Sequence, residues 1–424
     1  MNIRFACKKV NSPVAYCALS VKAGTRDEAP EYNGLAHLTE HMLFKGTEKR
    51  TSRSINNLLE KEGGELNAYT TKEEIVLYST VLQEDLPKAI DLLAELAFTS
   101  VFPQKELNKE LDVIYDEIIS YKDSPAESIY DHFETLLFKG HQLEKPILGE
   151  KRCLKKIDSN ILKSFLKEHF TPQNMVFSIV GNIDKEKLEQ LIKKSCNRHY
   201  QRIGEESIFP LFYEEGNNSA NGEQAYTVSE DAIAKSLGTN SSFNIGLTKR
   251  NHQAHCIIGC TAYSYFNGWK RIALALLTNI LGGPASGSRL NMLLREKHAL
   301  VYNIEATYTP YSDTGIFSIY FGCDKSLIQK CRDLVYKELE KISATPISEK
   351  ELKSAKKQFL GQLFISQDNA EAQCLAMGKS ILVFNNIYPF GQTRKQIEEI
   401  TPQQLQEVAK EIFSRERLSE LLYK

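Results

Sequence analysis

No stretch of this sequence stays apolar for the ~18 residues that a bilayer crossing needs, so a membrane-spanning role is not expected. There is no Cys-x-x-Cys pair, and the nine cysteines are scattered and odd in number, which argues against a disulfide framework. Buried, reduced thiols acting as small hydrophobes are expected instead. Neither sign of charge prevails: 53 Lys+Arg stand against 54 Asp+Glu, for a formal net charge of −1. A chain that neutralises many phosphates carries a basic surplus, so nucleic acid is not an expected partner. The glycine-rich stretch Gly282 to Ser288 lacks the G-K-[ST] ending of a phosphate loop. Arg4, Lys8 and Lys9 near the start are followed by no apolar h-region, so no signal peptide is read and a cytoplasmic location is expected.

What is present is ordinary globular sequence. The 424 residues are 42% hydrophobic and 25% charged, enough for two or three domains. A strand-like run, Ile75 to Leu82, precedes an amphipathic helix from Asp85, a proline turn and a further helix containing Lys105-Glu106-Leu107. The second half repeats that order, with a strand from Gly315, a helix from Lys325 and then Lys350-Glu351-Leu352, at an offset of 245. The shared order of elements reads as a duplicated domain. Between the halves, Glu214 to Ser242 is rich in Gly, Asn and Ser and reads as linker. The expectation is an α+β chain of two homologous domains, each a mainly antiparallel sheet covered by helices. The ranges are 1–213, a linker at 214–245, and 246–424.

The sharpest motif is Gly34-Leu35-Ala36-His37-Leu38-Thr39-Glu40-His41. Asn33 can cap a helix beginning at Gly34. His37 and His41 then rise on one face, about 6 Å apart along the axis, where two imidazoles can share one zinc ion. Glu40 projects near the same point, and a carboxylate there can take a proton from a zinc-bound water. The pattern is H-x-x-E-H. Catalytic zinc usually has three protein ligands, so one more is needed. In the helix containing Leu107 to Ile118, residues Leu107, Leu111, Ile114 and Ile118 form the buried stripe. Glu110 and Glu117 fall together beside it, and Asp116 points away. A solvated acidic edge would also show such a pair. The assignment is Glu117 as third ligand and Glu110 as the group orienting a ligand. At the offset of 245, Glu110 maps to Ala355 and Glu117 to Gln362, so one zinc per chain is expected, in the first domain.

With these residues in place, the chain resembles the inverzincin, pitrilysin-type metallopeptidases, including the mitochondrial processing peptidases and small bacterial processing-peptidase-like proteins. The likeness runs through Ala23 to Glu28, His37 to Thr47, Gly63 to Thr70, Val113 to Pro125, Pro146 to Gly149, Val180 to Ile183, Leu281 to Gly283 and Leu294 to Lys297. The resemblance implies a zinc-dependent endopeptidase. Zinc would sit on His37, His41 and Glu117, with Glu40 as general base. It implies that Asn67 and Ala68 lie on an exposed strand edge where a substrate peptide adds as a further strand. It also implies that Arg295 binds a substrate carbonyl and that Tyr302 steadies the developing oxyanion. Both would come from the opposite subunit of a clamshell dimer: a homodimer, or a heterodimer with a metal-free paralogue. The competing expectation is a non-catalytic assembly subunit of the same fold.

Overall fold

The computed structural model describes residues 1–200, 207–215, 230–238, 242–249 and 251–424. Its residues gather into two compact units. The first comprises Met1–Ile119, Lys145–Ser219 and Ile365–Tyr388, and the second Ser120–Glu144, Ala220–Phe364 and Pro389–Lys424.

The first unit is built on a six-stranded sheet. Its strands are β1 (Asn2–Lys9), β2 (Val14–Val21), β3 (Glu65–Thr70), β4 (Ile75–Leu82), β5 (Met175–Gly181) and β6 (Phe209–Phe212). Their order is β3-β4-β2-β5-β1-β6. β1 runs parallel to β5 and β6, and the remaining pairs are antiparallel. The helices used below are α1 (Leu35–Leu43), α2 (Ser52–Glu60), α3 (Leu86–Thr99), α4 (Gln104–Asp123) and α5 (Pro125–Leu137). Alternation along the strands divides the sheet into two apolar faces. Phe5, Leu19, Leu77, Phe177 and Ile179 pack against α1, α3 and the helix Lys185–Tyr200. Ala6, Ala18, Val76, Val176 and Val180 point the other way, toward the helix Ala370–Phe384. Strand β5 is buried at every position, which is why its sequence is a near-continuous apolar run.

The second unit has a five-stranded sheet of β7 (Asn244–Leu247), β8 (Ala254–Ala262), β9 (Val301–Pro310), β10 (Gly315–Cys323) and β11 (Ser419–Tyr423), in the order β7-β11-β8-β10-β9. Only β7 and β11 are parallel. Placed beside the first sheet, this is the order β1-β5-β2-β4-β3 with the same sense of every pair, so the duplication extends to strand topology. One face packs Cys256, Ile258, Phe317, Ile319 and Phe321 beneath helices Gly268–Gly282, Ile328–Ala344 and Pro402–Ile412. The other packs Ile257, Ile316, Tyr320 and Leu421 against Ile129, Phe133 and Leu137 of α5.

The units are therefore not contiguous in sequence. Helix α5 comes from the first half and covers the second sheet; helix Ala370–Phe384 comes from the second half and covers the first. Of the polar segment 214–245, residues 216–229 and 239–241 lie outside the described residues. The remainder includes a helix, Glu230–Leu237, whose Ser236 and Leu237 are buried. No helix among the described residues is long and apolar enough to cross a membrane.

One loop contact fixes the start of α1. Gly149, at φ +77°, lies so close to Gly34, at φ +97°, that a Cβ on Gly149 would come within 2.4 Å of the Gly34 Cα and 2.6 Å of the Asn33 carbonyl oxygen. Both neighbours are backbone and cannot rotate away. Gly149→Ala is expected to cost about 2–4 kcal/mol from combined conformational strain and overpacking. A thermal melt checks this, and an unchanged midpoint would contradict the crowding.

Candidate metal centre

Helix α1 is held by its buried residues Leu35, Ala36, Leu38, Thr39, Met42 and Leu43. His37, Glu40 and His41 share the remaining, half-buried face. Their spacing sets the imidazole rings 4.6 Å apart between centroids. Helix α4 buries Leu107, Glu110, Ile114 and Ile118, which turns Glu117 toward α1 and leaves Asp116 in solvent. Glu117 Oε2 lies 4.0 Å from His37 Nε2 and 3.8 Å from His41 Nε2. One ligand atom from each of the three lies within 4.8 Å of the others.

These residues fit a zinc ion. Glu117 Oε2 is buried and has no hydrogen-bond partner, an arrangement that costs free energy unless something cationic is bound. Tetrahedral zinc with bonds of ~2.0–2.1 Å sets its ligand atoms roughly 3.4 Å apart, slightly closer than the separations here. The supporting groups are also present. His41 Nδ1 is 3.1 Å from Glu110 Oε2. A carboxylate only accepts, so this contact places a hydrogen on Nδ1 and makes Nε2, which faces Glu117, the nitrogen that would bind a metal. Glu110 is itself held by Lys45, whose Nζ is 2.7 Å from Oε1. Glu40 Oε2 accepts a 2.6 Å hydrogen bond from Thr70 Oγ1 at the end of β3. Burial raises the Glu40 carboxyl above its usual range, with the Glu117 charge adding and Thr70 and His41 opposing.

Burial, helped by the neighbouring His41, lowers the His37 imidazole from 6.5 to about 4. In the metal-free chain the unfolded state therefore binds a proton between these pH values that the folded state refuses. Stability from this group is present above pH 6.5 and is lost as pH falls toward 4. Thermal melts of metal-free protein across that window should show a steeper acid-side decline for wild type than for His37→Gln. Parallel declines would contradict the assignment.

The other sequence-derived residues stand as follows. Asn67 is exposed and Ala68 half-buried on β3, which has a neighbour on one side only among the described residues. Arg295 and Tyr302 belong to the second unit and are exposed, Tyr302 at 76%. They share no helix: Arg295 lies in the π-helical turn Asn291–Lys297, and Tyr302 on β9. The expected Asn33 cap is not formed. The cap position is Gly34, and the Asn33 side chain donates to Glu28 and to the Pro146 carbonyl. Lys45, Thr70 and Glu28 escaped the sequence reading because nothing in their spacing ties them to the motif.

A second cluster, Asp91, Glu95 and His199, also has metal-ligand residue types. Its oxygens are already engaged. Glu95 accepts from Thr47 Oγ1 at 2.6 Å and Arg50 Nε at 3.1 Å, and Asp91 Oδ1 lies 2.9 Å from Arg198. Two guanidinium groups oppose a further cation, so this is an internal ion-pair network joining α3 to the helix Lys185–Tyr200. In the second unit, the helix after β8 and the counterpart of α4 meet through Asn279 Nδ2 donating to Gln362 Oε1 at 2.8 Å.

Comparison with known proteins gives a consistent result. Residues 4–151 match the family model described as Insulinase (Peptidase family M16), and residues 156–359 match the one described as Peptidase M16 inactive domain. The chain is 28% identical over 407 residues to an uncharacterized zinc protease of Bacillus subtilis, spanning 95% of this chain and 92% of the relative. It is 32% identical over 402 residues to an uncharacterized zinc protease of Rickettsia felis, spanning 93% and 89%. In fold it matches the crystal structure of a protease from Helicobacter pylori, with a TM-score of 0.82 over 99% of this chain and 96% of that one, at 18% identity.

Proposed function

Since the chain belongs to peptidase family M16, the insulinase family, we propose that it is a zinc endopeptidase that hydrolyses peptides or unfolded segments bound as an added strand on the open edge of β3. The observation that carries the reading is the unpartnered Glu117 Oε2 facing two imidazole nitrogens.

His37, His41 and Glu117 would hold one zinc ion, which supplies a Lewis acid and a water acidified toward neutral pH. Every other step belongs to the chain's own groups. Backbone pairing along Asn67 and Ala68 holds the substrate by its main chain, which gives affinity with little sequence preference. Thr70 ends that strand and hydrogen-bonds Glu40, so the same element that takes the peptide also orients the base. Glu40 accepts the proton of the attacking water and returns it to the leaving amine. Arg295 would bind a substrate carbonyl and Tyr302 the developing oxyanion, both from the opposite subunit of a homodimer; in a heterodimer the metal-free paralogue would supply their equivalents.

A fluorogenic peptide mixture tests the proposal. Hydrolysis should vanish on chelation and return with added zinc. Peptides N-methylated along their backbone, which cannot pair as a strand, should compete poorly. Hydrolysis untouched by metal removal would overturn the mechanism. A purified chain that takes up no zinc would favour a non-catalytic assembly role.

A further inference from the structure

The N-terminus of α1 cannot cap itself. Its cap residue, Gly34, has φ +97°, and a Cβ there would come within 2.8 Å of Leu154 and 2.9 Å of the Gly149 Cα. The serine, threonine, aspartate or asparagine that usually fills this position is thereby excluded. The free amides at the start of the helix still need an acceptor. Glu28 supplies it from the preceding loop. Its Oε2 accepts from Gly34 N at 3.0 Å and from Asn33 Nδ2 at 3.1 Å, and its Oε1 accepts from Ala36 N at 2.8 Å. The side chain is buried, at 5% exposure, and takes no part in the chemistry proposed above. The Lys145 ammonium donates to the backbone carbonyl of the same residue, pinning the loop.

Ala36 immediately precedes His37, so the Glu28 bonds set the orientation of the first turn, from which that imidazole projects. We propose that Glu28 is a positioning residue for the metal centre: a remote carboxylate cap that holds the His37 turn where its ring meets His41 and Glu117. This rests on the zinc reading of the site. Glutamine in its place would keep one acceptor but set an NH2 group against a backbone N–H, and aspartate is too short to reach both amides.

The test is the zinc dissociation constant, measured by competition with a chromogenic chelator, alongside circular dichroism and thermal melts. Glu28→Gln and Glu28→Asp should keep the wild-type spectrum and bind zinc about 10–100-fold more weakly, the range for groups that orient a ligand without touching the metal. Ile192→Val, a buried change on a helix remote from α1 in sequence, should bind zinc as wild type does. A folded Glu28→Gln with wild-type affinity would overturn the proposal, as would an equal loss in Ile192→Val. If Glu28→Gln does not fold, Glu28→Asp decides on the same criterion. A wild-type chain that binds no zinc, indistinguishable from His37→Ala, would instead overturn the metal reading itself, so the two failures are separable.

Discussion

Glu40→Gln is expected to abolish peptide hydrolysis while leaving the metal in place. Glutamine has the size of glutamate, and its carbonyl oxygen can still accept the Thr70 hydrogen bond seen at 2.6 Å. What it cannot do is take a proton. A positioned general base contributes about 10²–10⁴-fold, so kcat/KM on a fluorogenic peptide should fall by at least that range. Glu40 is outside the ligand set formed by His37, His41 and Glu117, so metal analysis of the same sample should match wild type. A variant with full zinc and more than about a tenth of wild-type activity would show that the proton goes elsewhere.

The centre was legible in the sequence where its geometry is local. Helical spacing alone brings His37, Glu40 and His41 to one face, and the apolar stripe of α4 alone separates Glu117 from Asp116. Strands β4 and β10 were legible for the same reason, as apolar runs between turn signals, and their shared surroundings exposed the duplication. What failed to show depends on partners distant in sequence. Asn33 had the residue type of a cap, but a left-handed Gly34 turned its side chain away and Glu28 took over. Nothing in Thr70 announces that it will meet Glu40, since that bond exists only because β3 runs beside α1. The exchange of α5 and the helix Ala370–Phe384 between units is likewise invisible: an amphipathic helix states which face is apolar, not which sheet it will cover.

Glu117→Gln should do the opposite of Glu40→Gln and strip the centre of zinc. A carboxylate brings a full negative charge and an unencumbered oxygen to a divalent ion, and an amide oxygen brings only a dipole. Loss of a direct ligand should exceed the 10–100-fold typical of outer groups, so zinc affinity should fall by at least about 100-fold and activity with it. At the sequence offset of 245, Gln362 aligns with Glu117, and its side-chain oxygen accepts from Asn279 Nδ2. The Asp91, Glu95 and His199 cluster supplies the internal contrast. Its carboxylates are engaged with Thr47, Arg50 and Arg198, so Asp91→Asn should leave the zinc content as it is in wild type. Zinc content of the two variants, measured after dialysis against a weak chelator, distinguishes a ligand from a bystander: equal retention in both, or loss only in Asp91→Asn, would place the ion away from α1 and remove the basis for the peptidase reading.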